Sequence, residues 1–127
     1  MSKNVVDSSG WIEYFADGPN ADFFEAAIED ASALVVPSIC IYEVFKRLLA
    51  EPTGEEPALQ VVAVMQRGRV VGLDAELALD AAKSSYETKL PMADSVILST
   101  AQAYDATVWT QDKDFEGIVG VEYVEKR

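Results

Sequence analysis

The chain has 127 residues, half of them apolar, with 10 Lys or Arg against 22 Asp or Glu, a net charge of −12, one cysteine and no histidine. Lack of an imidazole excludes Ser-His-Asp hydrolysis, Cys-His catalysis, His-paired RNA cleavage and His-ligated zinc, and the lone Cys40 excludes an intramolecular disulfide, a Cys-x-x-Cys redox pair and a cysteine-ligated cluster. The charge excludes general adhesion to nucleic acid, which rests on Lys and Arg, so any such contact must be local.

The opening residues, MSKNVVDSSG, lack a basic segment followed by an apolar one, and no apolar stretch reaches the roughly 18 residues of a membrane span, so a soluble, cytoplasmic protein with no membrane contact is expected. A chain of this length buries roughly two-thirds of its unfolded surface, which predicts one domain over 1–127. The acidity fits a basic protein partner or a saline cytoplasm equally well.

In chain order, Asn4-Val5-Val6 reads as a short buried strand, with Asp7-Ser8-Ser9 at the start of a helix through Trp11, Ile12 and Phe15. After the break Gly18-Pro19-Asn20, a second helix carries Phe23, Phe24, Ala27 and Ile28. Leu34-Val35-Val36 is a strand ended by Pro37, with Ser38 as N-cap of a helix whose apolar stripe is Ile41, Val44, Phe45 and Leu48, leaving Glu43 and Arg47 on another face. The segment from Glu51 to Pro57 is a turn into a helix through Leu59, Val62 and Met65. Arg69 to Leu73 forms the next strand, and Asp74 caps a helix reaching Lys89. Pro91 opens a helix with Asp94 in its first turn and Ile97, Ala101 and Tyr104 inward, followed by the strand Thr107 to Thr110 and then Asp112. Val121 to Val124 is an edge strand.

Hydrophobic strands alternating with helices predict a three-layer α/β/α fold with a central, mostly parallel sheet of four to five strands. Right-handed crossovers bring the strand ends to one edge, where Asp7, Asp112 and the helices bearing Glu43 and Asp94 converge. Each acid alone has a structural explanation: Asp7 as a helix cap, Asp94 as complement to a helix dipole, Glu43 in an i,i+4 pair with Arg47 worth about 0.3–0.5 kcal/mol, Asp112 and Asp114 as turn residues. Together they change the balance, because carboxylates crowded into one cleft repel unless a cation neutralises them, and a donor set of oxygens alone favours Mg²⁺ or Mn²⁺. Such ions typically assist phosphodiester hydrolysis.

Four stretches carry a resemblance: Val5-Val6-Asp7-Ser8-Ser9 with Trp11-Ile12, Ser38 to Val44, Ala93-Asp94-Ser95-Val96-Ile97, and Thr110-Gln111-Asp112-Lys113-Asp114-Phe115. In this order, over nearly the whole chain, they resemble the PIN-domain ribonucleases, in particular the VapC-type toxins of toxin–antitoxin pairs. The resemblance implies that Asp7, Glu43, Asp94 and Asp112 are catalytic and hold Mg²⁺ or Mn²⁺, with Asp114 as a further ligand and Ser8 and Thr110 as auxiliary hydroxyls. It also implies an endoribonuclease acting on RNA such as tRNA or ribosomal RNA and blocking translation, a small VapB-like antitoxin as partner, and a homodimer. Lys46, Arg47 and Lys113 are candidates for RNA phosphate contacts. A phosphate-accepting receiver domain needs an acidic pair after the first strand, and a haloacid-dehalogenase phosphatase needs an aspartate where Ser9 stands, so both fit poorly. The rival reading is an inert PIN-like binding protein whose acids are structural.

Overall fold

A computed structural model describes residues 2–127, so residue 1 of the expected domain span lies outside the described residues. The elements are β1 (Lys3–Val6), α1 (Ser8–Phe15), α2 (Ala21–Glu29), a 3₁₀ turn (Ala31–Ala33), β2 (Val35–Pro37), α3 (Ser38–Leu49), α4 (Glu55–Met65), β3 (Arg69–Val71), α5 (Ala75–Thr88), α6 (Met92–Ala103), β4 (Ala106–Thr110), a second 3₁₀ turn (Lys113–Phe115) and β5 (Val121–Tyr123).

Every strand pairing is parallel: β1 with β4, β4 with β5, and β2 with β3. A single parallel bridge between Asn4 and Leu34 joins the two ladders, giving the spatial order β3-β2-β1-β4-β5. Strand order therefore runs outward from β1 in one direction and then jumps to β4 on its other side. With right-handed crossovers, that reversal puts α1 to α4 over one face and α5 with α6 over the other. The switch point lies between β1 and β4, and their carboxyl ends open there.

The core forms where the sheet meets both helical layers. Trp11, Phe24, Val36, Val44, Ile97, Val108 and Phe115 are all buried within it. Helix α6 is the central helix, buried continuously from Ser95 to Ala101, so both its faces are committed. Helix α1 sits close to α2 because residue 10 is glycine: a Cβ there would meet the Phe24 ring at 2.6 Å and Val6 at 2.7 Å.

Several expectations change at element ends. Ser38 does not cap α3; it is the first helical residue, and Pro37, whose ring holds φ at −60°, takes the cap position with no side-chain bond. The turn before α4 is shorter than expected, because Pro57 lies in the first helical turn, where a missing N–H costs nothing. Strand β3 stops at Val71 rather than Leu73, and α5 stops at Thr88, with Lys89 in the left-handed region at φ 66°. The last strand stops at Tyr123.

Candidate active site

Asp7 follows β1 directly and is 3% exposed. It caps α1, with Oδ1 accepting from the Gly10 backbone N–H at 2.9 Å. The Ser9 hydroxyl lies 2.9 Å from both carboxylate oxygens, and the Thr110 hydroxyl donates to Oδ2 at 2.7 Å. Thr110 is the last residue of β4, one strand away across the switch point, and its Oγ1 also accepts from the Asp112 backbone N–H at 2.9 Å. One hydroxyl thus ties the end of β1 to the turn after β4. Despite these bonds, burial pushes the Asp7 carboxyl up to about 6, and the charge of Asp112 adds to the rise.

Asp94 enters from the first turn of α6 and is half-buried. Its carboxyl is pushed up to about 7, first by burial and then by the charges of Asp112, Asp7, Glu43 and Asp114. Carboxylate oxygens of Asp94, Asp112 and Asp114 lie within 4.8 Å of one another. Asp112 is aimed by its own turn, since its Oδ1 accepts from the Asp114 backbone N–H at 3.0 Å. Glu43, on α3, receives the Ser8 hydroxyl at 2.6 Å, which fixes it toward the start of α1. Under this cluster Cys40 is fully buried, its thiol pushed up by that burial and held neutral.

The cluster contains no internal counter-charge. Among the described residues the only ion pair joins Arg47 to Glu51 at 2.9 Å. Arg47 is therefore turned along α3 to the next turn and is not the partner of Glu43, because the Ser8 hydroxyl has already taken that carboxylate inward. Lys46 lies over the Tyr42 ring at 5.7 Å. Lys113 borders a cleft of ≈ 590 Å³ that opens beside Asp112 and Ser9. Five carboxylates with oxygen donors only, two of them with raised pKa values, suit a hard divalent cation such as Mg²⁺ or Mn²⁺ and offer nothing to a softer metal.

Sequence reading passed over two parts of this region. Ser9 rather than Ser8 contacts Asp7, a distinction readable in principle from the roughly 100° rotation between successive helical positions. A buried polar network also lies behind the cleft: the Asn20 amide donates to Gln111 Oε1 at 2.9 Å and to the Glu125 carbonyl at 3.0 Å, while the Asn20 backbone N–H donates to Glu13 at 2.7 Å. No local pattern announces it, because Asn20 and Gln111 are 91 positions apart.

Fold and cleft together define a parallel α/β protein with a cluster of oxygen donors at its switch point. The PIN domain model matches residues 5–120, and the chain belongs to the PIN-domain family. Among solved structures, a toxin–antitoxin complex from Klebsiella pneumoniae is similar with a TM-score of 0.79 at 22% identity, covering 94% of this chain and 96% of that one. VapC20 of Mycobacterium tuberculosis, described as a sarcin–ricin loop cleaving toxin, has a TM-score of 0.74 at 18% identity, covering 94% and 98%. VapBC2 of Rickettsia felis, bound to a DNA fragment from its promoter, has a TM-score of 0.72 at 15% identity, covering 96% and 97%. No curated protein matches the chain by sequence.

Proposed function

We propose that this protein is a Mg²⁺- or Mn²⁺-dependent endoribonuclease and the toxin of a toxin–antitoxin pair. The observation that carries the reading is the convergence of Asp94, Asp112 and Asp114 within 4.8 Å, beside Asp7 and Glu43, with no basic side chain among the described residues paired to any of them. In a PIN-domain protein this arrangement supports cation binding by Asp7, Glu43, Asp94 and Asp112, with Asp114 as an additional ligand. When bound, such an ion acidifies water and neutralises charge developing on the phosphate.

The remaining work falls to the chain. Ser9, Thr110 and the Gly10 N–H hold both oxygens of Asp7, Ser8 holds Glu43, and the Asp114 N–H holds Asp112, so the chain itself orients these three carboxylates. Water rather than the ribose 2′-hydroxyl is the nucleophile, which leaves 5′-phosphate and 3′-hydroxyl ends. Translation is blocked through cleavage of tRNA or ribosomal RNA in the cytoplasm, a substrate class supported by the relative that cleaves the sarcin–ricin loop. The partner is a small VapB-like antitoxin, as the solved VapBC complexes support, and a basic antitoxin segment suits a net charge of −12. The active form is a homodimer.

The test is cleavage of total RNA by purified protein with Mn²⁺, Mg²⁺ or EDTA, beside Asp7→Asn and Asp94→Asn. Cutting that requires both metal and aspartates, with 5′-phosphate ends, is expected. Metal-independent cutting or 2′,3′-cyclic phosphate ends would refute the mechanism, and no cutting together with no metal-induced stabilisation would favour an inert binding protein.

A further inference from the structure

The cleft beside Asp112 has a composition that metal binding does not require. Tyr123, at the end of the edge strand β5, is in register with Thr110, so its ring projects from the same face of the sheet as the hydroxyl that holds Asp7. The ring is partly exposed and lines the cleft together with Lys113 and Lys126, the only two basic residues on its wall. Ser9, Gln111, Asp112, Glu116 and Glu125 line the rest of the cleft.

A half-exposed aromatic face with two ammonium groups, bordering a hydrolytic centre, is suited to one unstacked nucleotide. The base stacks on the ring while lysines reach its flanking phosphates. Glu116 and Glu125 repel phosphate and offer acceptors to base amino groups, so a bound backbone is drawn to the two lysines rather than to them. Paired A-form RNA does not meet this demand, because its bases are stacked and its major groove is deep and narrow.

We infer, resting on the nuclease reading above, that this cleft is a nucleotide subsite that takes an unpaired RNA residue next to the scissile phosphate, with Tyr123 as the platform for its base. The substrate is then a single-stranded or looped segment, and an acidic protein selects it by stacking rather than by charge.

The experiment measures binding of a fluorescein-labelled, mixed-sequence single-stranded RNA by anisotropy in Mg²⁺. Asp94→Asn serves as the non-cutting background, and the same RNA annealed to its complement is the comparison. Tyr123→Ala should weaken single-strand binding by about tenfold, Tyr123→Phe should leave it within about twofold, and the duplex should bind worse than the single strand. In the otherwise native background, melting temperature and Mn²⁺-induced stabilisation should not change in Tyr123→Ala, which separates loss of stacking from damage to β5. Equal binding by Tyr123→Ala, or duplex binding as tight as single-strand binding, overturns the subsite. Cleavage by the otherwise native protein is read in parallel. If that protein cuts RNA while Tyr123→Ala, in the same native background, cuts with unchanged kcat/KM, the subsite falls and the nuclease stands. If nothing cuts but binding still depends on Tyr123, the subsite stands and the nuclease reading falls.

Discussion

Neutralising Asp94 should make the metal-free protein more stable while abolishing its response to metal. The Asp94 carboxyl is raised from 3.8 to about 7 by burial and by four neighbouring carboxylates. Taken at face value that shift corresponds to about 4 kcal/mol of destabilisation above pH 7, but water screens a half-buried group, so about 2 kcal/mol is the reasonable figure. Asp94 also sits in the first turn of α6, where the helix N-terminus favours the anion by about 0.5 kcal/mol. The net expectation for Asp94→Asn in EDTA at pH 7.5 is a gain of about 1.5 kcal/mol, or about 5 °C in Tm for a chain of this length. Asp7 is the wrong residue for this test, because its oxygens hold Ser9, Gly10 and Thr110 and an amide cannot satisfy all three. The assay is thermal unfolding in EDTA and in excess Mn²⁺: the native protein should gain stability with Mn²⁺ and the variant should gain little. A lower Tm for Asp94→Asn in EDTA would refute the reasoning, since it would show a carboxylate that anchors the fold rather than one held in a repulsive cluster.

The same shifts fix a pH dependence. Asp7 and Asp94 keep protons in the folded chain that they release when it unfolds, so their contribution is present in full below about 4 and is lost as pH rises through about 6 and about 7. Between pH 5 and 8 in EDTA the Tm contribution of this pair therefore falls with pH, and saturating Mn²⁺ should flatten the slope; a steeper fall with Mn²⁺ would contradict this. Thr110→Val removes a donor to Asp7 and an acceptor for the Asp112 N–H, costing about 1–3 kcal/mol and moving the Asp7 titration further up, as carboxyl NMR would register. Gly10→Ala should cost about 1–3 kcal/mol through overlap with Phe24 and Val6, and an unchanged Tm would show that α1 has room to shift.

What the sequence makes legible here is whatever short-range chemistry decides. Val5-Val6 running into Asp7 announces a buried parallel strand feeding a capped helix, and Asp74 caps α5 through the Leu77 N–H as its position suggests. The same logic fails at Ser38, whose hydroxyl suggests a cap although Pro37, with its φ fixed at −60°, takes the non-helical place. It also fails for Glu43, whose i+4 neighbour Arg47 offers an ion pair but whose actual partner, Ser8, is 35 positions away. The turn after β4 reads as polar loop, yet it closes into a 3₁₀ turn that buries Phe115 completely in the core. Long-range partners and the exact floor of the cleft depend on which strands become neighbours, and periodicity carries no record of that.

Energetics separates the two roles open to Asp7. As a helix cap it needs one oxygen, the one bound to the Gly10 N–H, and serine or asparagine supplies that equally well without bringing a charge inside the protein. Here the cap is 3% exposed, and three hydrogen-bonding partners fail to bring its pKa back to the ordinary range, so the fold carries a standing cost at neutral pH that capping does not recover. A cation held, as proposed, by the shared charge of Asp7, Asp94 and Asp112 would remove that cost. On the proposed metal-dependent reading the strain and the cation site are one feature: the buried negative charge that makes aspartate a poor choice of cap is what would suit it as a ligand.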